Sequence, residues 1–388
     1  MKNLYFLVFI ICSCSLEPSE VKRQIEITDV EFEMVEFPVE PPFRNNYFEG
    51  LKSANLDGED YLVGLNFMRN KIDFINLVDS SKSFSMQVRR EGPNAVKSYL
   101  LSVNFFENSF LLLTHTNAYL CDMDMANQAY DLIKSYDFLP EYQLSPVSSN
   151  IGNYKARTWA VDNAELFFPI FQNISVADHE FLDSKSMARI DLKTNEMSHL
   201  DLKWPKVLEG QEGITFPFQL DAYSVKRDNE LYVSYPFTDS VFIYSIGQYK
   251  KPIDVWVTPI IEFQDLVHLE DVSTESLFQD FKRDYPFTRS GLFFPLCFND
   301  DKQVFYRLVK DGYPLDGQEK NLYQISRYNL KWLVEYDLNG EVLTVRRLPK
   351  SFDVTPVVIN GDYLFPFLDS FNNKEDVMQL AKVKGYSK

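Results

Sequence analysis

The sequence is poor in the residues that hydrolytic and metal chemistry use. Only four histidines occur, His115, His179, His199 and His268, and no two stand at a metal-ligand spacing. There is no H-E-x-x-H, no G-x-S-x-G, no G-x-x-x-x-G-K-[ST] and no G-x-G-x-x-G segment. These absences argue against a zinc protease, a serine-hydrolase elbow, a phosphate-binding loop and a dinucleotide site. No cofactor and no metal is therefore expected. Positive charge is also scarce, with 39 Lys and Arg against 56 Asp and Glu and a net charge of −17. A nucleic-acid binder needs a basic face, so no nucleic-acid partner is expected. The apolar run Leu4–Ile11 is too short to cross a bilayer as a helix.

That run has another reading. It follows Lys2 and ends in Ile11-Cys12-Ser13-Cys14, where a small residue precedes a cysteine in the manner of a bacterial lipobox. Residues 1–13 read as a lipoprotein signal peptide, Cys14 as the lipidated residue and 14–24 as a tether. The membrane is then a partner through the N-terminal lipid. Ser15-Leu16-Glu17 lacks the leading Asp of an inner-membrane retention signal, which points to the outer membrane. Two cysteines remain, Cys121 and Cys297, in apolar strand-like contexts far apart in the chain. They read as buried free thiols.

Aromatic residues make up 15% of the chain, which favours strands. One pattern recurs six times: an apolar strand, a tight Asp/Asn/Gly turn, and a second apolar strand. The instances fall at Ser53–Val63, Leu101–Leu112, Thr158–Phe168, Ala222–Val233, Phe294–Phe305 and Val357–Phe365. Asn, Asp and Gly accept the positive φ that a two-residue hairpin demands. A third strand follows each hairpin, and a fourth follows in all but the last. Repeats of this length predict an all-β, six-bladed β-propeller forming one domain over 25–388. The sixth unit lacks its outer strand, and the alternating stretch Ile25–Phe37 is the candidate to supply it. A stack of β-sandwich domains is the alternative, but no linker of Ser, Gly or Pro separates the repeats.

In such a ring, the loops between second and third strands share one face with the connections between blades. Those segments are the long ones here, so that face is the candidate functional face. It carries Ile170–Ser186, Val309–Lys331 and Pro259–Ser290, the last with a helical apolar spacing around 260–285. An apolar-Pro pair recurs near the end of the second strand, at Phe168-Pro169, Tyr235-Pro236 and Phe365-Pro366. Polar residues just beyond, Arg69, His115, Asn117, Asp239 and Asp369, are candidates to ring the mouth of the channel. Blade packing and turn capping would explain the same residues without a ligand.

Arg89-Arg90-Glu91-Gly92-Pro93-Asn94 follows the first repeat. With the lipobox, the short tether and the six aromatic-rich repeats, it makes the chain resemble the six-bladed β-propeller lipoproteins of Bacteroidetes. More narrowly, it resembles a lipoprotein family of that group known only as a domain of unknown function. The resemblance implies a propeller in the cell envelope and supplies no catalytic residues. A binding or scaffold protein for a glycan, peptide or envelope protein is the leading expectation. The alternative is a carbohydrate-active hydrolase or lyase with a site in the central channel.

Overall fold

The computed structural model describes residues 27–38, 49–66, 69–97, 100–106, 109–114, 116–143, 159–162, 165–172, 183–205, 222–236, 238–259, 292–310, 330–352, 356–366 and 377–387. Two strands come first, β1 (Ile27–Asp29) and β2 (Phe32–Pro38). Blade 1 contains β3 (Glu49–Leu56), β4 (Glu59–Asn66), β5 (Lys71–Asn76) and β6 (Phe84–Gln87). Blade 2 contains β7 (Leu100–Phe106), β8 (Ser109–Thr114), β9 (Asn117–Asp124) and β10 (Ala129–Asp137). A short ribbon of β11 (Tyr142–Gln143) and β14 (Phe171–Gln172) brackets the start of blade 3. That blade is β12 (Trp159–Asp162), β13 (Glu165–Pro169), β15 (Met187–Asp191) and β16 (Glu196–His199). Blade 4 holds β17 (Tyr223–Arg227), β18 (Glu230–Ser234), β19 (Ser240–Ser245) and β20 (Asp254–Val257). Blade 5 holds β21 (Leu292–Asn299), β22 (Val304–Lys310), β23 (Lys331–Tyr336) and β24 (Val342–Leu348). Blade 6 adds β25 (Val357–Ile359), β26 (Asp362–Pro366) and β27 (Val377–Val383).

Within each blade the strands that follow one another in the chain pair antiparallel, as a meander of tight turns requires. All six hairpins read from the sequence form. At Asp57-Gly58 and Asn360-Gly361 both central residues have positive φ, from 50° to 80°, the geometry that matches strand twist in a two-residue hairpin.

The second strand of each blade is apolar at almost every position, and the packing explains why. Tyr61 and Val63 of β4 face blade 2, while Leu62 between them faces blade 6. Phe110 and Leu112 of β8 face blade 1, and Leu111 and Leu113 face blade 3. A strand covered on both faces has no polar register, so alternation gives way to a continuous run. The buried apolar residues sort into six clusters, each a seam between consecutive blades, and the last joins blade 6 to blade 1 through Leu364, Leu380, Leu51 and Leu62. The ring is an all-β, six-bladed β-propeller. Each buried Val, Leu or Phe in a seam contributes about 1.5–3 kcal/mol.

The N-terminal stretch read as one strand is two. β2 pairs antiparallel with β27 at the outer edge of blade 6, from Phe32 opposite Val383 to Pro38 opposite Val377. β1 pairs in parallel with β24, so blade 5 has a fifth strand. Val30 donates its N–H to Arg347 O (3.0 Å), and the chain crosses between the blades at Val30-Glu31. Cys121 lies in the seam between blades 1 and 2, and Cys297 in that between blades 5 and 6. Both are buried thiols outside any disulfide, and burial raises the pKa of Cys121.

Candidate functional site

Turns between first and second strands and between third and fourth strands open on one face, the short-turn face. The opposite, long-loop face carries the sequence candidates. Arg69 is exposed in the tight turn between β4 and β5, and its carbonyl accepts from Gln87 Nε2 (3.1 Å). Asn70 beside it has a φ of 54° and ties the turn to β6 by donating to Val88 O (2.6 Å). Asn117 opens β9. Its Oδ1 accepts from Thr116 Oγ1 (2.6 Å), and its Nδ2 donates to Asp137 at the end of the same blade. Asp239 lies just before β19, where its Oδ1 accepts from Ser240 Oγ (3.0 Å). The described side-chain contacts of Asn117 and Asp239 stay within their own blades, so the ring shape alone brings these candidates onto one face. His115, Asp369 and the proposed helix around 260–285 lie outside the described residues.

Beneath the Asp239 loop sits a residue that the sequence reading missed. Arg307 occupies the middle of β22, flanked by Phe305, Tyr306, Leu308 and Val309, and is fully buried. Strand alternation aims it, with Phe305 and Val309, into the seam with blade 4. All five of its N–H groups are used. Nε donates to Phe294 O (2.8 Å), Nη1 to Asp239 O (3.0 Å) and Thr258 Oγ1 (3.1 Å), and Nη2 to Tyr235 O (2.8 Å) and Thr238 O (3.1 Å). The guanidinium also lies 4.7 Å from the Phe293 ring centre. Burial lowers the pKa of Arg307 to about 10, still charged at neutral pH, with Tyr336 and Asp239 opposing the fall. Tyr336, itself pushed up to about 12 by burial, donates to Thr258 Oγ1 (2.9 Å) and completes the node.

Five donors spent on neutral acceptors leave this cation no bond to offer a ligand. It is therefore a clamp. It bonds the carbonyls of Tyr235, Thr238 and Asp239 and ties them to blade 5. One charged residue inside an otherwise apolar, doubly buried strand was the available signal in the sequence.

A second buried polar node lies toward the short-turn face. Glu335 is fully buried and accepts from Thr344 Oγ1 (2.8 Å), Arg346 Nη2 (2.6 Å), Tyr363 Oη (2.7 Å) and Tyr386 N (3.0 Å). Arg346 Nη1 also holds Lys384 O (2.5 Å), so the C-terminal residues are tied beneath the seam between blades 5 and 6. Among the described residues no group of His, Cys, Asp and Glu is placed to hold a metal ion. No helix among them is long and apolar enough to cross a membrane.

The profile of a domain of unknown function, DUF4221, matches residues 26–333. A crystal structure of a DUF4221 member from Bacteroides vulgatus is similar with a TM-score of 0.66 and 14% identity, covering 92% of this chain and 98% of that one. Regucalcin from Agrobacterium tumefaciens, a calcium-binding protein, is a more remote likeness, with a TM-score of 0.44 and 9% identity over 93% of this chain and 97% of that one. The Pan2 WD40 domain of Neurospora crassa gives a TM-score of 0.42 at 8% identity over 94% of this chain and 98% of that one. No curated protein sequence matches.

Proposed function

The chain belongs to the DUF4221 family, and from that premise we propose that it is a lipid-anchored envelope propeller, held in the outer membrane of a Bacteroidetes cell, that binds a glycan, peptide or partner protein through its long-loop face. The observation that carries this reading is the Arg307 clamp. A buried cation that gives three of its five hydrogen bonds to the carbonyls of Tyr235, Thr238 and Asp239 fixes that backbone before any partner arrives. Preorganisation of this kind lowers the ordering cost of binding. Asp239, half-buried beside the clamp, and the exposed Arg69 of blade 1 on the same face give an acceptor and donors to a ligand. The lipid on Cys14 is supported by the lipobox sequence.

Fractionation with partner capture tests the reading. The wild-type chain pellets with membranes at high salt, and Cys14→Ala moves to the soluble fraction. Pelleting of Cys14→Ala at high salt contradicts lipid anchoring. On the soluble variant, the combined changes Arg69→Ala, Asn117→Ala and Asp239→Ala weaken capture of the bound ligand by about tenfold or more, equivalent to about 1.4 kcal/mol. Hydrolysis or elimination of a polysaccharide by the purified chain would instead favour a carbohydrate-active enzyme.

A further inference from the structure

His199 ends β16 on the outer strand of blade 3, toward the long-loop face. Its ring packs on Tyr142 of β11 with the centres 4.8 Å apart and the planes at 53°. Nε2 is buried and makes no hydrogen bond among the described residues. Lys185 closes the other side. Its Nζ donates to the His199 carbonyl (3.3 Å), and its backbone N–H reaches Tyr142 Oη (3.5 Å). The same Lys185 segment pairs with Lys203, which is itself bound to Asp183 (2.6 Å). Among the described residues the charged groups that act on the imidazole are Lys185 and Glu141, while Lys203, Asp201 and Glu196 lie further along its own stretch of chain. Burial and the Lys185 charge lower the pKa of His199, and Glu141 opposes them weakly.

β14 of the ribbon continues from β13 after Ile170, and Tyr142 is where β11 touches blade 3. We propose that His199 is a pH-sensitive latch on the long-loop face: a second proton on its ring releases Tyr142 and loosens the ribbon between blades 2 and 3. A proton on Nε2 creates a cation with no acceptor among the described residues, near an existing lysine cation. The closed arrangement therefore binds fewer protons than the open one. Its stability is intact above the ordinary histidine value near 6.5 and is lost as pH falls below it toward the lowered value in the closed form. This adds regulation to the long-loop reading and does not depend on it, because the readout needs neither ligand nor membrane.

Hydrogen exchange at pH 7 and pH 5, corrected for intrinsic rates, tests the latch on the full chain. The Tyr142 N–H, which is bonded to Leu139 O (2.8 Å) in the turn that leads into β11, reports whether Tyr142 stays seated. Its protection falls at pH 5 by at least about threefold in the wild type. It stays constant in His199→Phe, which keeps an aromatic partner for Tyr142 and cannot titrate. Nuclear magnetic resonance of the histidine ring protons, assigned with His199→Gln, places the His199 titration below the ordinary value. A titration at or above 6.5, or an equal loss of protection in His199→Phe, overturns the proposal.

Discussion

At the scale of single residues, the structure concentrates its polar interior in a few saturated nodes. Arg307 and Glu335 are both fully buried, and each makes at least four hydrogen bonds. They differ in consequence. Glu335 is paired with Arg346 and holds the C-terminal residues, while Arg307 bonds neutral groups and holds a loop. Arg307→Met fills much of the volume but removes the bonds given to the carbonyls of Tyr235, Thr238, Asp239 and Phe294. Denaturant unfolding is expected to show a loss of about 2–4 kcal/mol, with exchange protection falling first at residues 238–240. The identity of Arg307 as an anomaly was visible in the run Val304–Lys310, but its role was not. Its bonded partners Tyr235, Thr238 and Asp239 are backbone carbonyls about 70 positions away, and carbonyls carry no residue-type signal.

At the scale of elements, hairpins were legible because their turns demand particular residues. Gly340 shows a second demand that no local pattern reveals. Its φ is 83°, and a Cβ there would stand 2.3 Å from the Trp256 indole of the neighbouring blade. Asn339-Gly340 is thus both a turn and a contact between blades. The N-terminal strands show the opposite case. Ile25–Phe37 alternates, so an edge strand was readable. The switch of β1 onto blade 5 was not, because three largely exposed residues in a parallel pairing bury too little to leave a pattern. The two strands should therefore differ in weight. Phe37→Ala removes a ring that is only 8% exposed in the seam between blades 6 and 1, and is expected to cost about 3–5 kcal/mol. Ile27→Ala at the open rim, 42% exposed, should cost under about 1 kcal/mol. Denaturant titration of the two variants makes the comparison.

At the scale of the whole molecule, the six seams explain why one domain rather than several forms. Every second strand feeds two seams, so no blade has a core of its own. That sharing is what the continuous apolar runs encode, and it made the ring the most legible feature of the sequence. The candidate face was reached only by subtraction: short turns on one side leave the long connections on the other. The charge balance, with a net of −17, suits a body held near an anionic membrane by a lipid and not pressed against it. The central claim is that the long-loop face meets the partner. Site-specific photocrosslinking in intact cells tests it most directly, with benzoylphenylalanine at the positions of Arg69 and Thr116 on that face and of Asp57 and Asn339 on the short-turn face. All four positions are exposed. The account predicts discrete adducts from Arg69 and Thr116 and none from Asp57 and Asn339. Adducts confined to Asp57 and Asn339 would contradict it.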